Sequence, residues 1–274
     1  MKQKILDDLR TIPFMELDVE IDINKLLKET VIANNNWYGY VAPFMTPANL
    51  QLLGIANDPD SKKIYDNYEH CSLITYHPKK DPSIVSETFA WSDNGDMTKI
   101  THYYNVPFTE RKWHYTSEAA KYPYLMELVN SITSHPVLCK VIRSKPGNWL
   151  GWHSHQHDPV IKQYNKPEQC IIHIPIIQHE DVAFLVTEDM PSNRSDFKTL
   201  DYYKNDTKSY VGRFVPGKAY FFNGYYPHGF KNYSNYDRID IVLYSDTTEN
   251  PLIEEVMERS ISKYTGPIIG ASHV

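Results

Sequence analysis

Residues 209–246, SYVGRFVPGKAYFFNGYYPHGFKNYSNYDRIDIVLYSD, decide the fold. Four short apolar or aromatic runs, Ser209 to Val215, Lys218 to Phe222, His228 to Asn232 and Arg238 to Tyr244, are divided by turn-forming residues. Pro216-Gly217 separates the first two, and the polar group around Ser234 and Asn235 separates the last two. Runs of five to seven residues with such punctuation read as β-strands rather than helices, which need about 10 or more. Working back toward the N-terminus, Val137 to Ile142, Trp149 to His155, Cys170 to Ile177 and Val182 to Thr187 have the same texture.

Eight strands at this spacing predict a mainly β fold, a jelly-roll, cupin-like double-stranded β-helix with flanking helices. We divide the chain into an N-terminal helix and strand elaboration (1–136), a jelly-roll catalytic core (137–246) and a C-terminal helix and tail (247–274), all in one structural domain. In the elaboration, residues 2–10 and 24–33 have helical apolar spacing, and Leu17, Val19, Ile21 and Ile23 alternate as in a strand. Pro47 opens an apolar stretch from Leu50 to Ile55. Ser117 to Ser134 predicts one helix, capped by Ser117 and kinked at Pro123. Asn250 caps a last helix that runs to Lys263, with Pro251 at its first position.

The 274 residues carry a formal charge of -6, and no basic stripe of the kind that binds phosphates. Nucleic acid is therefore excluded as a partner. No apolar run reaches the roughly 18 residues a membrane helix needs, and the start MKQKILDDLR lacks a secretory pattern. Three widely spaced cysteines, Cys71, Cys139 and Cys170, fit reduced thiols in a cytoplasm. There is no phosphate-cradling glycine loop and no GxSxG.

The histidines are unevenly distributed. His153, His155, His157, His173 and His179 fall within 27 residues, where an even spread of 12 over 274 would place about one. In PGNWLGWHSHQHDP, residues 146–159, an extended chain turns His153, His155 and His157 to one side. Imidazoles so placed suit Fe, Zn, Cu or Ni, although a polar strand end produces the same pattern. By the same alternation Trp149 and Trp152 face opposite ways. Far along the chain, His228 offers a third ligand. Arg238, ten residues later, has a planar guanidinium suited to a carboxylate, with Asp237 beside it as an orienting group.

At residues 137–245 the sequence resembles the Fe(II)- and 2-oxoglutarate-dependent dioxygenases, and among them the aspartyl/asparaginyl β-hydroxylase and proline hydroxylase group. The resemblance rests on the Pro-Gly and GWH of the first motif, IIHIPI at 171–176, GKAYFFN, and His228 with Arg238 at the family's spacing. It implies a facial metal site, hydroxylation of a small molecule or amino-acid side chain, and Fe(II), 2-oxoglutarate and molecular oxygen as cofactor and co-substrates. It also implies His228 as the distal ligand and Arg238 as the seat of the far carboxylate. The family's His-x-Asp/Glu is missing. One alignment, with Gly147 six residues before His153, makes His153 and His155 the proximal ligands; another makes them His155 and His157, followed by Asp158. His173 reads as a residue behind the ligands or touching the co-substrate, and His179 as a solvated turn. Two rivals remain: a three-histidine cupin-type metalloenzyme that uses no 2-oxo acid, and a silent β-roll that only binds.

Overall fold

A computed structural model describes residues 1–33, 36–39, 68–75, 80, 82, 89–90, 101–102, 112–154, 170–192, 196–247 and 249–269. The predicted stretch at Pro47 and Leu50 to Ile55 lies outside them. In chain order the strands are β1 (Phe14–Glu16), β2 (Tyr38–Gly39), β3 (Tyr68–Thr75), β4 (Phe89–Ala90), β5 (Thr101–His102), β6 (His114–Tyr115) and β7 (Pro136–Ser144). They continue with β8 (Trp149–His153), β9 (Cys170–Ile177), β10 (Val182–Thr187), β11 (Ser209–Gly212), β12 (Tyr220–Phe222), β13 (His228–Asn232) and β14 (Arg238–Ser245). The α-helices are α1 (Gln3–Thr11), α2 (Ile23–Ala33), α3 (Pro123–Ile132), α4 (Leu200–Asn205) and α5 (Pro251–Lys263).

The larger sheet runs β1-β12-β9-β14-β7-β3-β2, with β6 also paired to β3. The smaller sheet runs β11-β10-β13-β8, and β4 and β5 form a separate pair. Strands β7 to β14 thus fill two four-stranded antiparallel layers in the jelly-roll order that the eight predicted strands imply. The elaboration does more than pack on this roll, because β1 and β3 extend the larger sheet at both sides, pairing with β12 and β7. Leu17 to Ile23 is not a strand; Val19, Ile21 and Ile23 pack against the helix-side core.

Alternation along the strands divides the interior in two. On one face of the larger sheet, Cys139, Val141, Ile172, Ile174, Phe221, Ile241 and Leu243 meet Leu9, Leu26, Leu125, Val129, Ile253 and Met257 of the helices. On the other face, Ile142, Ile171, Phe222 and Val242 meet Phe184, Val186 and Phe230 of the smaller sheet. All three cysteines are buried free thiols, and burial pushes the Cys71 thiol up to about 12. The predicted helix 117–134 is two elements. A 3-10 turn, Ser117–Lys121, is capped by Thr116, whose side chain accepts from the Glu118 N–H, and Pro123 starts α3 instead of kinking it. Proline lacks an N–H, so the first helical position costs it nothing. In α5 the Asn250 side chain accepts from Ile253 N–H as expected.

Asn232 secures the roll at the end where β7, β8, β13 and β14 turn. Its Nδ2 lies 3.0 Å from Ser144 O, 3.2 Å from Lys145 O and 2.8 Å from Tyr236 O. Its Oδ1 accepts from Ser234 N and Oγ. Its backbone pairs with Gly147 and Asn148. The turn at Gly147 has φ of +77°, a conformation glycine adopts without steric cost. Asn232→Ala, which strands the buried Ser144 carbonyl and frees those of Lys145 and Tyr236, is expected to destabilise the protein by about 2 kcal/mol in a urea titration.

Candidate functional site

Between the two layers lies a partly open cavity of about 50 Å3 lined by His173, His228 and Arg238, with Lys140, Phe184 and Phe222 among its walls. That volume is room for a few water molecules, since one occupies about 10–15 Å3 of such space.

His228 opens β13 and is 4% exposed. Its Nδ1 is 2.8 Å from the Tyr226 carbonyl. A carbonyl only accepts, so Nδ1 carries the proton and the lone pair lies on Nε2, the tautomer that a metal-ligating histidine uses. Register sets His228 opposite His153 of β8.

A β-bulge governs the approach to this pair. Between His228↔His153 and Phe230↔Leu150, β8 advances three residues while β13 advances two. The extra residue shifts the alternation by one position. Trp149 and Trp152 consequently share a face instead of opposing each other, and both pack on Phe197, with ring centroids 5.9 and 5.3 Å away. Leu150 turns into the cavity. A Cβ at Gly229 would stand 2.9 Å from Phe197 Cζ and 3.3 Å from the Leu150 carbonyl, so any larger residue beside His228 would have to displace the Phe197 ring.

Arg238 begins β14, 2% exposed, with partners at Nε, at Nη2 and at two ring faces. Nε donates to Gln178 Oε1 at 2.8 Å, and Nη2 lies 2.5 Å from Asp240 Oδ2. The Phe184 and Phe230 rings cover it at 4.6 and 4.7 Å. Asp237, expected to orient it, is exposed; Asp240 and Gln178 take that part. Asp240 Oδ2 is also 2.6 Å from His173 Nδ1, which leaves Nε2 as the other ring nitrogen of His173. Asp240 was not singled out by its sequence position, although Arg-Ile-Asp puts two opposite charges on one face of an apolar strand and so signals a pair. Gln178, 60 residues away, carries no such signal.

Burial lowers the His173 pKa below 6.5, against the opposing pull of Asp240. Burial alone would raise Asp240, but the charges of Arg238 and His173 outweigh it and hold the carboxyl below its usual range. His179 is half-buried, 3.8 Å from Asp181 and against Tyr236, rather than fully solvated. Arg143 is tied to Glu69 at 2.5 Å. The aromatic strand is core and pocket wall, with Phe222 facing the cavity and Phe221 the helices.

Among the described residues, no three His, Cys, Asp or Glu side chains gather as a metal site. His155, His157 and Asp158 lie outside those residues. No helix among them is long and apolar enough to cross a membrane.

No family model and no curated protein matches the chain. Solved structures with a similar fold include an oxidoreductase of the 2OG-Fe(II) oxygenase family from Burkholderia pseudomallei, 11% identical, covering 89% of this chain and 89% of that one, with a TM-score of 0.44. A prolyl-4-hydroxylase from Pseudomonas putida is 10% identical over 89% of this chain and 97% of its own, with a TM-score of 0.40. The nickel complex of the non-heme monooxygenase ThoJ is 9% identical over 90% and 78%, with a TM-score of 0.41.

His173 binds its proton more weakly folded than unfolded, so its contribution to stability is fully present above pH 6.5 and is lost as pH falls below that value toward its folded pKa. Thermal unfolding between pH 7.5 and 5 should show this loss, at no more than about 1.4 kcal/mol per pH unit for one proton. His173→Gln should flatten that part of the profile.

Proposed function

We propose that the protein is a non-haem iron oxygenase that hydroxylates a C–H bond of a small molecule or amino-acid side chain, with 2-oxoglutarate and molecular oxygen as co-substrates. The observation that carries this reading is the opposition of His228 and His153 across β13 and β8, beside a cavity that Arg238 also lines. In it His153, His155 and His228 hold Fe(II); in the other alignment His155 and His157 are the proximal pair. Three neutral imidazoles leave such a site one unit more positive than two imidazoles and a carboxylate. Bound Fe(II) with 2-oxoglutarate and oxygen supplies the oxidising power for hydroxylation and yields succinate and carbon dioxide.

The chain's own part is positional. The Tyr226 carbonyl fixes the tautomer of His228. Phe184, Phe222 and Phe230 wall the cavity and limit the water that reaches it. His173, oriented by Asp240, presents a hydrogen-bonding edge on the same lining, and Arg238 supplies a cation for the far carboxylate of the co-substrate. One observation favours the three-histidine, cupin-type alternative without a 2-oxo acid: the Arg238 guanidinium already has a carboxylate beside it.

Anaerobic titration with Fe(II) and then 2-oxoglutarate is expected to produce a weak visible charge-transfer band, and admission of oxygen to release succinate. His228→Ala should lower iron affinity by more than the roughly 10–100-fold that loss of an outer hydrogen-bond partner costs. Arg238→Gln should selectively weaken 2-oxoglutarate. Absence of both band and succinate in the intact protein would overturn the reading, and iron binding without a response to 2-oxoglutarate would favour the alternative.

A further inference from the structure

A carboxylate entering the cavity would seek Arg238, yet the accessible geometry of that guanidinium is restricted. Gln178 takes Nε, Asp240 takes the side of Nη2, and two phenyl rings cover the faces. Moving the group toward a ligand on the Nε or Nη2 side breaks one of these contacts. Asp240 is 0% exposed and is anchored at the same oxygen by His173, so it cannot turn away to water when a second anion arrives. Its other oxygen, Oδ1, is buried without a hydrogen-bond partner among the described residues. A ligand carboxylate that reaches Arg238 on the Nη2 side would therefore stand close to a fixed carboxylate, where like charges disfavour each other, with Lys140 of the same lining as the nearby second cation.

We propose that Asp240 is an internal competitor for Arg238 and sets the ligand preference of the cavity against a carboxylate at that end. This rests on the preceding reading only in taking the inter-sheet cavity as the ligand site. A dicarboxylate binds with an affinity held down by the protein's own acid.

Calorimetric titration of the full chain with glutarate, and with its uncharged diamide as control, tests the assignment. Asp240→Asn keeps the size of the side chain and an oxygen for His173 but removes the charge. It is expected to bind glutarate at least about tenfold more tightly than the unmodified protein, with the diamide changed by less than about threefold. Gln178→Glu adds a carboxylate at the opposite edge of Arg238 and should weaken glutarate by at least about threefold. Unchanged or weaker glutarate binding in folded Asp240→Asn overturns the proposal. If that variant does not fold, unchanged or tighter binding in Gln178→Glu overturns it. A parallel titration of Mn(II)-loaded unmodified protein with 2-oxoglutarate keeps the two readings separate. Loss of a metal-dependent response there removes the oxygenase reading and leaves the glutarate result standing, whereas a failed glutarate series beside an intact response removes only the role of Asp240.

Discussion

Because β14 is covered by helices on one face and by the smaller sheet on the other, its alternate residues answer to two different interiors. Ile239, Ile241 and Leu243 face the helices, while Arg238, Val242 and Tyr244 line the cavity. Strand β9 is under the same constraint, with Ile172, Ile174 and Ile176 on one side and Ile171 and His173 on the other. Neither strand has a solvated face where a charge could sit at little cost. The polar groups of the roll are therefore forced together, and Arg238, Asp240 and His173 meet as one unit spanning adjacent strands.

Removing one member of such a unit leaves another buried without compensation, which is much worse than never having buried the pair. This explains why the guanidinium is so closely packed. The same packing gives the cavity its chemical character, since a group that stabilises the fold cannot also present itself freely to a ligand.

Much of the roll was legible in the sequence. Strands β9, β10 and β13 occupy the residues expected from apolar runs bounded by turns, because their length and punctuation are local properties. The bulge in β8 was not legible, since it depends on how β8 pairs with a strand 75 residues away and leaves no mark on its own periodicity. It reversed the expected placement of Trp149 and Trp152. The split at Pro123 was missed for a related reason: proline breaks a helix or begins one, and the tertiary position decides which. Of the site, His228, Arg238 and His173 were marked by residue type at interior strand positions. The roles of Asp240 and Gln178 emerged only when the strands were assembled, while the His155 and His157 expectation falls outside the described residues.

The tie made by Asn232 has a mechanical consequence. One side-chain amide reaches the turn that leads into β8 and the turn that leads into β14, so the strands bearing His153, His228 and Arg238 are fastened at the same end. A fluctuation that opens either turn must break bonds belonging to the other. The two turns are therefore coupled as one opening unit, for which linked amide-proton exchange is the expected signature.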